Sequence, residues 1–229
     1  MTTVFIISAP SGSGKSTLVD AVRQMVPRLD FSISYTTRPP RGSEQNGREY
    51  YFVSRDEFEQ MVHRDEFLEY ANVFGNYYGT AKRFLQQAEQ TENDLLLDID
   101  VQGAEQIKGK LPRAVSIFIM PPDRKTLETR LRNRSLDKEE VIQRRLITAS
   151  REIENYRKYD YILINDRLEE STELLKSILL AERKRPGVQP SADDTETLAK
   201  AEGCRLNNVR EMVRPILASF QAAVAPGGR

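Results

Sequence analysis

The stretch SAPSGSGKST, residues 8–17, lies between the apolar run VFII and the amphipathic segment LVDAVRQMV. Few short segments restrict a fold as strongly. A buried strand has to run into a glycine-bearing loop, and the loop has to open directly into a helix. Three further apolar runs, 94–100, 114–120 and 159–165, read as buried strands beside 3–8. Helical patterns at 16–26, 81–91, 101–109, 123–132, 137–157 and 168–184 alternate with them. That alternation predicts an α/β fold, a parallel sheet with helices on both faces.

The opening loop fits the pattern G-x-x-x-x-G-K-[ST] except at its first position, where Ala9 replaces glycine. Alanine is tolerable there provided its φ stays negative. Phosphoryl transfer needs a cradle of backbone N–H donors, a fixed cation and a magnesium ion. A glycine loop entering a helix N-terminus supplies the cradle. Lys15 is the cation, and Ser16 offers a hydroxyl to magnesium. The expected ATP-binding segment is therefore Ala9, Pro10, Ser11, Gly12, Ser13, Gly14, Lys15, Ser16 and Thr17.

Composition narrows the function classes. Lys plus Arg and Asp plus Glu both number 34, so no net charge draws the chain to nucleic acid or to a membrane surface. The single cysteine, Cys204, excludes an internal disulfide framework, and the single histidine, His63, excludes a multi-histidine metal site. His63 reads as a surface helix residue. No apolar stretch approaches the roughly 20 residues of a membrane span. Cytoplasmic location is expected.

Two regions interrupt the strand–helix rhythm. Residues 32–80 carry the turn-rich TTRPPRGSEQNG and short strand-like pieces, and predict a small, mostly β insert. Residues 124–151 are arginine-rich and poor in apolar side chains, as suits a mobile flap. The resulting division is a core of 1–33, 81–123 and 152–185, a lobe of 34–80, a lid of 124–151 and an extension of 186–229. The extension offers two weak amphipathic helices, the second interrupted by Pro215. It reads either as helices packing on the core or as a partner surface.

Several separate stretches together resemble the guanylate kinase family. These are SAPSGSGKST, SISYTTRPPRGSEQNGREYYFV, DEFLEYANVFGNYYGT, LLLDIDVQGAEQIK, RLRNR followed by VIQRRL, and YDYILIND, in the family's order and spacing over 3–185. The resemblance implies a phosphate-loop core with a GMP-binding lobe and an arginine-bearing lid. It implies phosphoryl transfer from ATP to GMP or dGMP with Mg2+, by a monomer or homodimer.

The same resemblance distributes the site residues. Glu69 would accept the paired donors of guanine, Ser34 would donate to O6, and Asp100 would serve as a second acceptor, with Thr80 near the base. Arg38, Arg41, Tyr50 and Tyr78 would hold the GMP phosphate. Arg130, Arg134 and Arg145 match the lid arginines, with Lys15, Arg38, Arg134 and Arg145 catalytic, and Asn165 falls near the ATP adenine. Asp98 and Asp100 stand two apart on one apolar strand and so point to one side. Asp98 is left open between supporting the magnesium and forming a cap or structural salt bridge. Asn133 and Ser135 replace glycines found in many relatives, which predicts a stiffer hinge. Three rival readings make the chain a phosphopeptide-binding scaffold module, a kinase for another acceptor, or a phosphate-loop regulatory protein without an acceptor.

Overall fold

A computed structural model describes residues 2–73, 75–134, 138–183 and 192–221. Their strands form two sheets, one of five strands and one of four. The chain divides into two compact units.

The first unit comprises residues 1–7 and 27–115. Strand β1 (Val4–Ser8) begins in it, and β7 (Asp94–Asp98) runs parallel between β1 and β2 (Leu29–Ser32). Strands β1 and β7 are continuous apolar runs, as parallel strands covered on both faces must be. Strand β2 was not legible as a strand, because LDFS is short, half-buried and carries Asp30 between its two apolar residues. Helix α3 (Lys82–Thr91) packs on β2 and β7.

The four-stranded sheet runs β4–β3–β6–β5. Strands β5 (Phe67–Val73) and β6 (Asn76–Ala81) form an antiparallel hairpin, whereas β3 (Tyr35–Thr36) and β4 (Tyr51–Phe52) are two residues each. To these strands the structure adds helix α2 (Arg55–His63). Ser54 caps it by accepting the Glu57 N–H at 3.1 Å. Its Phe58 and Met61, one helical turn apart, complete the lobe's core with Phe67 and Ala81. His63 lies exposed in its last turn, as expected.

One sequence expectation is corrected here. Strand β7 ends at Asp98, and Asp100 is not on it. Asp100 is the N-cap of helix α4 (Val101–Lys110), its carboxylate accepting the Gly103 N–H at 2.8 Å. A short acidic side chain at a strand–helix junction satisfies an orphan helix donor better than it continues a ladder.

The second unit comprises Ser8–Val26 and Ser116–Arg229. Strands β8 (Val115–Met120) and β9 (Tyr161–Ile164) pair in parallel from Ile117 opposite Tyr161. Helices α1 (Lys15–Met25) and α7 (Leu168–Glu182) pack together. Helix α5 (Arg124–Arg134) contacts α6 (Glu139–Ile153). The helix expected over 137–157 ends early and tightens into a 3-10 segment, Glu154–Lys158. There the Asn155 amide bonds back to the Glu152 carbonyl at 3.2 Å, competing for the last α-helical acceptors.

The extension packs within this unit. Helix α8 (Ala192–Gly203) lies on α7. Beyond it the chain runs against β9: Ile162 N–H donates to the Cys204 carbonyl at 2.8 Å, and Leu206 N–H to the Asp160 carbonyl at 3.1 Å. An exposed strand edge is thereby covered. Arg205 stacks 4.2 Å over the Tyr161 ring and bonds Glu182 at 2.8 Å. Burial pushes the Cys204 thiol up to about 11, so it behaves as a core side chain. Helix α9 (Arg210–Gln221) continues through Pro215, because Val213, Ile216 and Phe220 bury a continuous stripe against α5 and α6. Residues 186–191 and 222–229 of the extension lie outside the described residues.

Candidate functional site

In the second unit the phosphate loop takes its shape from two left-handed glycines. Gly12 has φ +92° and Gly14 φ +86° with ψ 16°. A Cβ on Gly12 would lie 2.8 Å from Leu131 Cδ2, and one on Gly14 would lie 2.4 Å from Asn165 Nδ2. Ala9 is not among the described non-glycine residues with positive φ, which are Arg28, Asp65 and Glu92, so the substituted corner is unstrained. Ser13 N–H closes a turn on the Pro10 carbonyl at 3.1 Å.

Gly14 is the N-cap of α1, with no side-chain cap, and Lys15 is the first helical residue. The first-turn N–H groups of a helix have no intrahelical acceptors and point out along the axis, toward the site of an anion. Lys15 is half-buried, while Ser16 and Thr17 are exposed beside it. The arrangement suits a phosphate chain lying across the helix end.

Asn165 holds this loop from behind. It is 5% exposed, and its side-chain amide donates to the Ser13 carbonyl at 2.7 Å. Sequence resemblance had pointed it toward the base. The structure shows its amide engaged by the loop backbone. Arg130 donates to the backbone carbonyls of Asn165 at 2.9 Å and Asp166 at 3.1 Å. Arg145 is half-buried on α6. Helix α5 ends at Arg134, whose side chain, with Ser135, lies outside the described residues. Arg132 binds Glu128 at 2.7 Å as well as Glu139, so its guanidinium is a surface bridge.

In the first unit a carboxylate pocket forms where the β5–β6 hairpin meets the start of α4. Glu69 stands opposite Thr80 in the hairpin register, and Thr80 Oγ1 donates to Glu69 Oε1 at 2.6 Å. Glu69 is 4% exposed and Thr80 fully buried. Burial pushes the Glu69 carboxyl up to about 7; the Thr80 bond draws it down and nearby Asp100 pushes it up. Gly103 lies against it, since a Cβ there would fall 2.6 Å from Glu69 Oε2 and 3.3 Å from Asp100 Oδ1. Strand β3 pairs with β6 at Tyr35 and Gly79, which carries the buried Ser34 to the Thr80 end of β6. Two carboxylates and the Thr80 hydroxyl thus meet in one small volume, with the buried Ser34 just ahead of the neighbouring strand.

A second cluster of the same unit gathers Arg38, Tyr78, Tyr50 and Glu44. Arg38 Nε–H donates to the Tyr78 hydroxyl at 3.2 Å, and its carbon lies 5.4 Å from the Tyr50 ring centre. Burial works against the Arg38 charge, but bonds to Glu44 and Tyr78 outweigh it and raise its pKa. Arg41 is exposed on the adjoining turn. Asp98 is half-buried at the end of β7. Among the described residues no cluster of three or more His, Cys, Asp or Glu side chains is placed to hold a metal.

Sequence reasoning passed over Glu44 and Gly103. The only signals were an acid three residues after Arg41 in a glycine–serine turn, and a glycine in a helix's first turn where alanine is the better helix former.

Known proteins resemble the chain over most of its length. The guanylate kinase family model matches residues 1–182. The guanylate kinase of Koribacter versatilis (strain Ellin345) is 58% identical over 228 residues, 98% of each chain. That of Escherichia coli (strain K12) is 48% identical over 194 residues, 84% of this chain and 94% of the relative. The crystal structure of guanylate kinase from Anaplasma phagocytophilum superposes with a TM-score of 0.67 at 33% identity, covering 81% of this chain and 88% of its own. With a phosphate loop of the required shape and similarity across nearly its whole length, the chain belongs to the guanylate kinase family.

Proposed function

We infer that the chain phosphorylates GMP, and dGMP, at the expense of ATP, yielding GDP or dGDP and ADP. The observation that carries this reading is the buried Glu69–Thr80 pair beside Asp100, in a chain whose relatives are guanylate kinases. Guanine presents N1–H and its amino group as adjacent donors, and a single carboxylate can accept both. Adenine would leave that buried carboxylate unpaired, and sites built on hydrogen bonds reject such analogues by roughly 10⁴-fold or more.

In this reading Ala9 to Thr17 cradle the ATP phosphates, and Lys15 neutralises the transferring group. Ser34 donates to O6, while Arg38, Arg41, Tyr50 and Tyr78 receive the GMP phosphate. That phosphate oxygen is already anionic and attacks the γ-phosphorus in line, so no general base is required. Arg134 and Arg145, carried by a lid of 124–151, stabilise the charge spreading over the transferring oxygens. Asn165 serves ATP through the loop it braces. The exposed Ser16 hydroxyl would offer Mg2+ a ligand, and Asp98 either supports that ion or serves as a cap or structural salt bridge. Residues 34–80 act as the GMP lobe, 1–33, 81–123 and 152–185 as the core. We place the enzyme in the cytoplasm as a monomer or homodimer.

The test follows ADP release with GMP, dGMP, AMP, UMP and CMP in parallel, with Lys15→Met as the contamination control. Turnover is expected with GMP and dGMP and lost on Glu69→Ala. Equal turnover of AMP would remove the guanine-reading role, and no turnover with any acceptor would remove the kinase reading.

A pH dependence follows as well. The ionised Glu69 accepts both guanine donors, and with its carboxyl near pH 7 it gains a proton as pH falls. KM for GMP is therefore expected to rise roughly ten-fold between pH 8 and pH 6. Guanosine, used as a competing ligand, should weaken in parallel, which separates Glu69 from ionisation of the GMP phosphate. A flat guanosine profile would count against Glu69 as the acceptor.

A further inference from the structure

The family resemblance has Arg38 hold the acceptor phosphate, yet both of its Nη groups are engaged elsewhere. Arg38 Nη1 and Nη2 donate to Glu44 Oε2 and Oε1 at 2.9 and 3.0 Å. Nη1 also donates to the Pro39 carbonyl at 2.8 Å, and Nε to the Tyr78 hydroxyl at 3.2 Å. A guanidinium has five N–H groups. Those four bonds leave a single one, on Nη2, for a ligand.

Glu44 does more than neutralise Arg38. Its Oε2 accepts the Arg41 backbone N–H at 2.8 Å, and its own N–H donates to the Arg41 carbonyl at 3.0 Å. One carboxylate thereby closes the turn that displays the Arg41 side chain and fixes the plane of the Arg38 fork. The effect passes to Tyr78. Its oxygen already accepts from Arg38, so its hydroxyl proton is directed away from Arg38 and remains available as a donor.

We propose that Glu44 is a positioning residue for the phosphate half of the GMP site, acting through Arg38, Arg41 and the Tyr78 hydroxyl. The proposal rests on the function inferred above. Geometry favours positioning over a carboxylate that merely keeps the phosphate's seat. To leave, Glu44 would have to break three N–H bonds, and one of them, from the Arg41 backbone, is what closes the turn that carries Arg41. Under this arrangement Arg38 offers the phosphate one N–H in place of a bidentate fork, beside the Tyr78 hydroxyl and the exposed Arg41 side chain.

Equilibrium binding of GMP and of guanosine to the wild-type chain, Glu44→Ala and Glu44→Gln separates the roles, with thermal unfolding and steady-state kinetics alongside. Glu44→Ala is expected to weaken GMP by roughly ten- to a hundred-fold and leave guanosine binding unchanged, since only the phosphate contacts lose their aim. KM for GMP should rise far more than kcat falls. Glu44→Gln should lie between, because its carbonyl can still accept the Arg41 N–H. Tighter or unchanged GMP binding in the variants would mean that Glu44 competes with the phosphate or ignores it, and would overturn the proposal. Loss of GMP and guanosine in equal proportion would overturn it too, by showing a collapsed lobe. A wild-type chain that bound GMP no better than guanosine would instead bring down the underlying phosphate site.

Discussion

Gly103→Ala is expected to raise KM for GMP by roughly a hundred-fold while ATP binding stays within twofold of wild type. Helix propensity alone forecasts a benign change. Alanine inside a helix is favoured over glycine by about 1 kcal/mol, so a merely local effect would leave α4 firmer. Packing decides otherwise. The new methyl would sit 2.6 Å from Glu69 Oε2 and 3.0 Å from Glu69 Cδ. Glu69 cannot swing clear cheaply, because it is 4% exposed and held by Thr80 Oγ1 at 2.6 Å. The carboxylate must rotate off the hydroxyl or α4 must shift, and either moves the acceptor pair away from guanine. Stability and activity should therefore separate. Steady-state kinetics with both substrates, together with thermal unfolding, reads the two. An unchanged KM for GMP would show that Glu69 is not confined between the hairpin and α4.

Gly14→Ala should lower kcat/KM for ATP by about a hundred-fold or more and leave guanosine binding intact. Two costs coincide at this position. The left-handed backbone, φ +86°, costs a residue with a Cβ roughly 1–2 kcal/mol. The Cβ also falls 2.4 Å from the Asn165 amide nitrogen, which is the group holding the Ser13 carbonyl. Displacing Asn165 releases the loop just where Lys15 begins α1. A double-mutant cycle with Asn165→Ala tests the coupling. The second substitution should cost much less in the Gly14→Ala background, because the loop brace is already lost there. Additive effects would mean that Asn165 and the loop act independently.

Much of the architecture was legible from residue order. Strands β1, β7, β8 and β9 fell within two residues or so of the expected runs, because a parallel strand covered on both faces has to be an uninterrupted apolar segment. The loop's residues, and the need for glycine at positions 12 and 14, followed from backbone geometry that only glycine adopts freely. Helix and strand periods are properties of neighbours along the chain, and neighbours are what a sequence displays.

Pairing that depends on distant residues is not displayed along the chain. Strand β2 is too short and polar to declare itself, and it becomes a strand because β7 offers it a ladder. Asp100 reads as strand until Gly103 offers an orphan donor. The link from Asn165 to Ser13 spans 152 residues. The covering of β9 by the segment after α8 likewise depends on an edge that exists only once β8 and β9 have paired. Glu44 looks like one acid among many until the folded turn delivers it to Arg38. The sequence alone thus settled the α/β layering and the place and shape of the phosphate loop, because both depend on local geometry. Tertiary structure decided which polar groups face each other, because a buried donor or acceptor takes whatever partner the fold brings within about 3 Å of it.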